Sequence, residues 1–244
     1  MEPIYQQDFF IDDIAVDCYG RLKPSMILHY AQEVAGLHFT ELAMDYDALA
    51  QRRMFWAVTR HKVQITRLPR RGETIHIETW PMPTTRVAYP RSMVAYDAQG
   101  NECFRSISLW VLMDLDTRNM ILPGKSGISV VGTLRGNALA SPLGLPAKPM
   151  GSRRERPVCY TDLDRNGHMN NCRYLDWIDD LLPSAFHAQH AVKEFTVCYL
   201  SEAREGQTLD MQWDFIEENT LQVDARRRKE EKDERIFSAR FLFD

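Results

Sequence analysis

Two stretches of this 244-residue chain can be laid over two others with their glycines in register. VQITRLPRRGETIHI, residues 63–77, falls on VCYLSEAREGQTLDM, residues 197–211, with Gly72 on Gly206. DCYGRLKPSMILHY, residues 17–30, falls on DRNGHMNNCRYLDW, residues 164–177, with Gly20 on Gly167. The two registers are offset by 134 and 147 residues, a difference that an insertion around residues 40–55 absorbs. A repeat of this size means that one supersecondary unit is built twice. The flanking patterns agree. In the first half Pro24 opens a helix, where its missing N–H costs nothing, and Ile27, Tyr30, Ala31, Val34 and His38 form one stripe. In the second half Tyr174, Trp177, Ile178 and Leu181 repeat at helical spacing, with Asp176, Asp179 and Asp180 off the stripe. Asn170 and Asn171 are candidate N-caps, and Pro183 ends the helix.

Strands account for most of the rest. Phe9–Cys18 and RPVCYTDLD (156–164) read as strands. So do the segments around the turns at Arg70-Arg71-Gly72 and Ala98-Gln99-Gly100. Four strand-like runs close the chain. In the last, Phe237, Ala239, Phe241 and Phe243 alternate onto one face. The expected fold class is α+β: a tandem, or double, hotdog, each half a long helix wrapped by an antiparallel sheet. Residues 1–125 form the first unit and residues 153–244 the second. Residues 126–152, rich in Gly, Pro, Ser and Ala, form the linker.

Composition removes several function classes. A formal charge of −4 carries no basic excess for nucleic acid. Five scattered cysteines, without a CxxC, point to reduced thiols in a cytosol and not to a disulfide framework or zinc site. The acidic N-terminal stretch has no apolar core of a signal peptide. No apolar run approaches the ~18 residues of a membrane span. The densest basic run, Arg226–Lys229, is followed at once by acidic residues and reads as a solvated hairpin turn.

The two halves differ where polar residues gather. TDLDRNGHMNN (161–171) packs Asp, Asn and His around Gly167. Asp164 has a counterpart in Asp17, but Asn166 falls on Tyr19, His168 on Arg21 and Glu202 on Leu68. Asp162-x-Asp164-x-Asn166-Gly167 opens like a calcium loop, yet its twelfth position is Arg173 where a bidentate Glu belongs. His168 has no second His or Cys at zinc-ligand spacing. Capping and turn formation explain part of the cluster. The chemical alternative is hydrolysis. A carboxylate and an amide can orient His168, backbone N–H groups from Gly167 to Asn171 can polarise a carbonyl, and, with no serine adjacent, water is the nucleophile.

DLDRNGHMNNCRYLDW resembles the D-x-N-x-H-x-N-N-x-x-Y segment of the acyl-acyl carrier protein (acyl-ACP) thioesterases of plant plastids and bacteria. FWAVTRHKVQITRLPRRGETIHIETW, SISLWVLMDLDTRNM and VCYLSEAREG resemble further segments of that family, so the similarity spans roughly residues 5–215. The resemblance implies a catalytic set of Asp164, Asn166, His168 and Glu202. Asp164 would orient His168, Asn166 would position water or the carbonyl, and His168 or Glu202 would act as base. It implies hydrolysis of a fatty acyl thioester by water, with no metal and no organic cofactor. The partner would be an acyl carrier protein bearing a phosphopantetheine-linked acyl chain. The acyl tail would lie in the first unit, near the Ile27–His38 stripe and Met54–Trp56. The family often has Cys directly after the Glu; this chain has Ala203. Cys159, Cys172 and Cys198 read as ordinary buried thiols. The N-terminus fits a bacterial, cytoplasmic member, and a homodimer is compatible with the pattern. The competing readings are an acyl-CoA thioesterase, a hotdog dehydratase and a non-catalytic acyl-thioester sensor.

Overall fold

The computed structural model describes residues 4–136, 138–228 and 233–244. The chain divides into two compact units, Met1–Lys23 with His29–Pro142, and Pro24–Leu28 with Leu143–Asp244. In order the elements are β1 (Tyr5–Phe10), α1 (Pro24–Glu41), α2 (Tyr46–Gln51), β2 (Met54–Ile65), β3 (Thr74–Pro81), β4 (Tyr89–Tyr96), β5 (Glu102–Asp114), β6 (Met120–Ile121) and α3 (Pro123–Ser126). Then come β7 (Ser152–Pro157), α4 (Arg173–Asp179), α5 (Ser184–Gln189), β8 (Val192–Tyr199), β9 (Thr208–Glu217), β10 (Thr220–Arg227) and β11 (Glu234–Phe243). Among the described residues no helix is long and apolar enough to cross a membrane.

In the first unit the strands run antiparallel in the order β1-β3-β4-β5-β2, with β6 beside β5. Of α1, the residues from His29 belong to this unit, and there the expected stripe is buried at Tyr30, Ala31, Val34 and His38. Aromatic contacts bind helix to sheet: Phe9 on Tyr30 at 4.5 Å, and Phe39 stacked on Trp56 at 4.8 Å. Such pairs add directional attraction to area burial.

In the second unit the order is β8-β11-β10-β9-β7, again antiparallel. Phe237, Ala239, Phe241 and Phe243 of β11 face the core, as the alternation requires. Tyr174 of α4 stacks on Phe237 at 4.5 Å. The helical segment here is shorter than expected. α4 has seven residues, and Pro183 caps a separate α5. The N-cap of α4 is Cys172, and Asn170, two residues earlier, accepts the Cys172 amide on Oδ1 at 2.9 Å.

Two expected strands are displaced. Phe9–Cys18 is a strand only to Phe10, because Asp12 and Asp17 draw backbone amides onto their carboxylates and turn the chain. In RPVCYTDLD the strand ends at Pro157, which cannot donate to a ladder. Asp162 then folds residues 160–162 into a 3-10 turn by accepting the Cys159 amide.

Among the described residues, the chain between α3 and β7 has no regular element, yet it is pinned. In the first unit the Thr133 amide bonds the Pro81 carbonyl, and Arg60 bonds the Pro142 carbonyl. A Cβ on Gly132 would lie 2.3 Å from the Met82 carbonyl and Pro83 nitrogen, so the backbones touch there. In the second unit the carbonyls of Leu145 and Pro146 accept from Arg235 and Gln222. Of the basic run read as a turn, Arg226 and Arg227 instead end β10 and pair with Asp224 and Glu234. Lys229 lies outside the described residues.

Candidate active site

Asp164 builds a tight turn. Its amide bonds the His168 carbonyl at 2.8 Å, and its carbonyl accepts from Gly167 at 3.0 Å. Its Oδ1 accepts the amides of Asn166 at 2.8 Å and His168 at 3.2 Å. Gly167 sits at φ +73°, a left-handed conformation that costs glycine little. The first unit contains the same turn. Asp17 bonds Arg21 and Gly20 through its backbone at 2.8 and 3.0 Å, and its Oδ1 accepts Tyr19 and Arg21 amides, both at 2.9 Å. Gly20 has φ +71°. In each unit the next residue then ties the turn to a neighbouring segment. Leu22 donates to the Pro69 carbonyl at 2.8 Å, and Met169 to the Ala203 carbonyl at 2.8 Å. Leu68 and Glu202 precede those two acceptors, as the sequence overlay requires.

The duplicated turn therefore places position 168 beside position 202, and in the second unit those positions hold an imidazole and a carboxylate. His168 Nε2 lies 3.1 Å from Glu202 Oε2. His168 is 9% exposed, while the Glu202 side chain is 41% exposed. An ionised carboxylate accepts only, so the imidazole nitrogen facing it must carry the proton. That nitrogen is then the donor of the pair. In the first unit Arg21 turns back onto Asp17, Nε to Oδ2 at 2.9 Å.

Asp164 acts on His168 through the main chain, a different route from the expected carboxylate–imidazole contact. Asn166 is exposed, its Nδ2 3.4 Å from Asp164 Oδ2. The backbone donors expected to polarise a carbonyl are mostly spent. The Gly167, His168, Met169 and Asn170 amides bond Asp164, Asp164, Ala203 and Asp162. The aspartates of the calcium-like pattern also turn inward. Asp162 accepts the Cys159 amide and Trp177 Nε1. Among the described residues no group of three His, Cys, Asp or Glu side chains is arranged to hold a metal.

Two arginines outside the motif also border Glu202. Arg204 Nη2 stands 3.8 Å from Glu202 Oε2, and Arg227 Nη1 donates to the Glu202 carbonyl at 3.2 Å. Arg204 was visible two residues after Glu202; Arg227 arrives from a distant strand and carries no local signal. Among the cysteines, Cys172 and Cys198 are buried, but Cys159 is exposed, because it follows the end of β7 at the start of the 3-10 turn. Burial pushes the Cys172 thiol up to about 12, which suppresses the thiolate. Ala203 is itself buried.

Two models of one known protein family match this chain. The acyl-ACP thioesterase N-terminal domain model matches residues 2–122, and the C-terminal domain model residues 147–244. Oleoyl-acyl carrier protein thioesterase 2 of Arabidopsis thaliana is 25% identical over 236 residues, covering 84% of this chain and 61% of the relative. The dodecanoyl-[acyl-carrier-protein] hydrolase of Cinnamomum camphora is 25% identical, covering 72% of this chain and 50% of the relative. The chain thus spans about 61% or less of these relatives' length. An acyl-ACP thioesterase structure from Bacteroides thetaiotaomicron superposes with a TM-score of 0.90 at 22% identity, covering 99% of this chain and 98% of the other. The 12:0-ACP thioesterase of Umbellularia californica gives 0.85 at 19%, covering 100% and 98%. At these identities the superpositions establish the fold, a double hotdog.

Proposed function

The chain belongs to the acyl-ACP thioesterase family, and on that footing we propose that it hydrolyses the thioester of a fatty acyl chain carried on acyl carrier protein, releasing fatty acid and carrier thiol. The observation that carries the reading is the His168–Glu202 contact at 3.1 Å, set on a turn whose twin in the first unit bears Arg21 and Leu68.

In this mechanism Glu202 is the general base and His168 its orienting donor. Water attacks the thioester carbonyl carbon while Glu202 takes its proton. The exposed Asn166 amide donates to the developing oxyanion, which only a positioned donor stabilises without reorganisation. The carbon–sulfur bond then breaks, and the proton held by Glu202 passes to the departing thiolate. Acid–base assistance of this kind is worth ~10²–10⁴-fold. Asp164 holds the turn that presents both Asn166 and His168. The high thiol value at Cys172, and alanine at position 203, favour water over a cysteine nucleophile. A cytoplasmic setting fits the scattered free thiols, and a homodimer is checked by sedimentation.

The test is thiol release from fatty acyl-ACP and from fatty acyl-CoA of matched chain lengths, run in ¹⁸O-water. Release from acyl-ACP with one heavy oxygen in the acid, and no acyl group on cysteine by mass spectrometry, is expected. Release from acyl-CoA alone would overturn the choice of carrier. An acyl-cysteine formed at the turnover rate would overturn the water mechanism.

A further inference from the structure

The segment that carries Glu202 belongs to no strand or helix. It joins β8 to β9, and the Glu202 side chain is 41% exposed. Packing does not place a half-exposed carboxylate, so its position depends on how its main chain is held. That chain is held from several sides. The amides of Leu200 and Ser201 both donate to the Ile236 carbonyl, at 2.9 and 3.1 Å, and the Met169 amide donates to the Ala203 carbonyl at 2.8 Å. The Arg204 amide donates to Gln207 Oε1 at 3.0 Å. The carbonyl of Glu202 itself is taken by a side chain: Arg227 Nη1 donates to it at 3.2 Å.

The first unit holds the matching segment in the same way, with one exchange. The Thr66 and Arg67 amides share the Cys103 carbonyl at 2.9 and 3.0 Å, and the Arg70 amide donates to Glu73 Oε1 at 2.9 Å. Arg67 overlays Ser201, and Glu73 overlays Gln207. In the first unit the guanidinium belongs to the segment itself, since Arg67 bonds Glu73 at 2.7 and 3.1 Å and Asp97 at 3.1 Å. In the second unit position 201 is serine and position 207 an amide, and the cation comes from β10. Arg227 stands directly across from Glu234 of β11 and pairs with its Oε2 through Nη2. Glu234 Oε1 in turn accepts the Ser201 hydroxyl at 2.8 Å. Arg227 Nη1 donates to Gln207 Oε1 at 2.6 Å as well as to the Glu202 carbonyl. A guanidinium is a planar fork whose donors keep fixed directions. This one ties together the residue before Glu202, Glu202 itself and the amide that caps Arg204.

We propose that Arg227 is a positioning residue for the hydrolysis. From β10 it clamps the Glu202 main chain and so sets where the carboxylate stands against His168 and the attacking water. Glu234 offsets its charge, so what Arg227 supplies is geometry. The role rests on the reading of Glu202 as general base.

The test is thiol release by the full chain from fatty acyl-ACP, or from fatty acyl-CoA where the parent turns over only that thioester. The variants are Arg227→Met, Glu202→Gln, the two combined, and Arg67→Met as the matched change in the first unit, each first verified as folded. Arg227→Met is expected to lower kcat by about 10–10²-fold, the size that a small misplacement of a reacting group costs, with KM within a few-fold of the parent. Arg67→Met should keep kcat within a few-fold. In the Glu202→Gln background Arg227→Met should lower the rate no further, because residues that act through one group are not additive. A residue that only stabilised the fold would cost the same in both backgrounds. Parent-like kcat in Arg227→Met, equal losses in the two backgrounds, or an equal loss in Arg67→Met overturns the clamp and leaves Glu202 as base. Near-parent turnover by Glu202→Gln, or none by the parent, overturns the clamp together with the reading beneath it. Should Arg227→Met not fold, Arg227→Lys decides by the same comparison. Its ammonium keeps the charge but lacks the fork, so kcat should fall at least about threefold, and only where Glu202 is present. Unchanged kcat in Arg227→Lys, or the same loss in the Glu202→Gln background, overturns the clamp.

Discussion

At the carboxylate of Asp164 the amides of Asn166 and His168 converge, and at Asp17 those of Tyr19 and Arg21 do the same. Both aspartates hold a turn, but only Asp164 holds one that presents a His168–Glu202 pair. Asp17→Ala and Asp164→Ala should each cost roughly 1–2 kcal/mol of stability by denaturant titration, while only Asp164→Ala should also lose turnover. Matching activity losses would mean that the first turn has a catalytic part. The thiols give a second prediction at this scale. Burial raises Cys103 to about 11 and Cys172 to about 12, so the reactive thiolate is scarce at both. Iodoacetamide at pH 8 should label the exposed Cys18 and Cys159 and spare these two, by peptide mass spectrometry. Early labelling of Cys172 would contradict the packing of α4. The overlay made the asymmetry between the turns legible, because residue identity at matched positions is a property of sequence alone. That Asp164 works through amides was not legible. The same residue type can bond a ring or a backbone, and only coordinates separate the two.

At the scale of elements, apolar periodicity located α1, the Tyr174–Leu181 stripe and the alternation of β11, since burial of one face imposes the period directly. Boundaries were harder. Phe9–Cys18 is apolar enough for a strand, but Asp12 and Asp17 capture amides and end it. The segment between α3 and β7 looks like loose chain by composition, yet Gly132 brings it against Met82 and Pro83. A glycine chosen for close approach and one chosen for flexibility look alike in sequence. Gly132→Ala must push the segment away, since its Cβ would lie 2.3 Å from backbone atoms. Limited proteolysis should then cut within residues 127–142 faster than in the parent, with the far-ultraviolet circular dichroism unchanged. Equal cleavage rates would mean that the contact does not hold the segment.

Across the whole molecule, one architecture is built twice and one copy carries the His168–Glu202 contact. The repeated turn, the glycines at φ +71° and +73°, and the amide links to Pro69 and Ala203 are common to both units. At the overlaid positions Asn166, His168 and Glu202 stand in the second and Tyr19, Arg21 and Leu68 in the first. The duplication thus supplied a scaffold, and divergence at a few positions supplied the proposed functions. The most direct measurement is thiol release from fatty acyl-ACP by His168→Ala, Glu202→Gln and Arg21→Ala beside the parent protein, each variant first verified as folded. Loss of at least ~10²-fold in the first two, with Arg21→Ala within a few-fold of the parent, is the predicted result. Comparable loss in all three variants, or near-parent turnover by Glu202→Gln, would contradict a single hydrolytic site at His168 and Glu202.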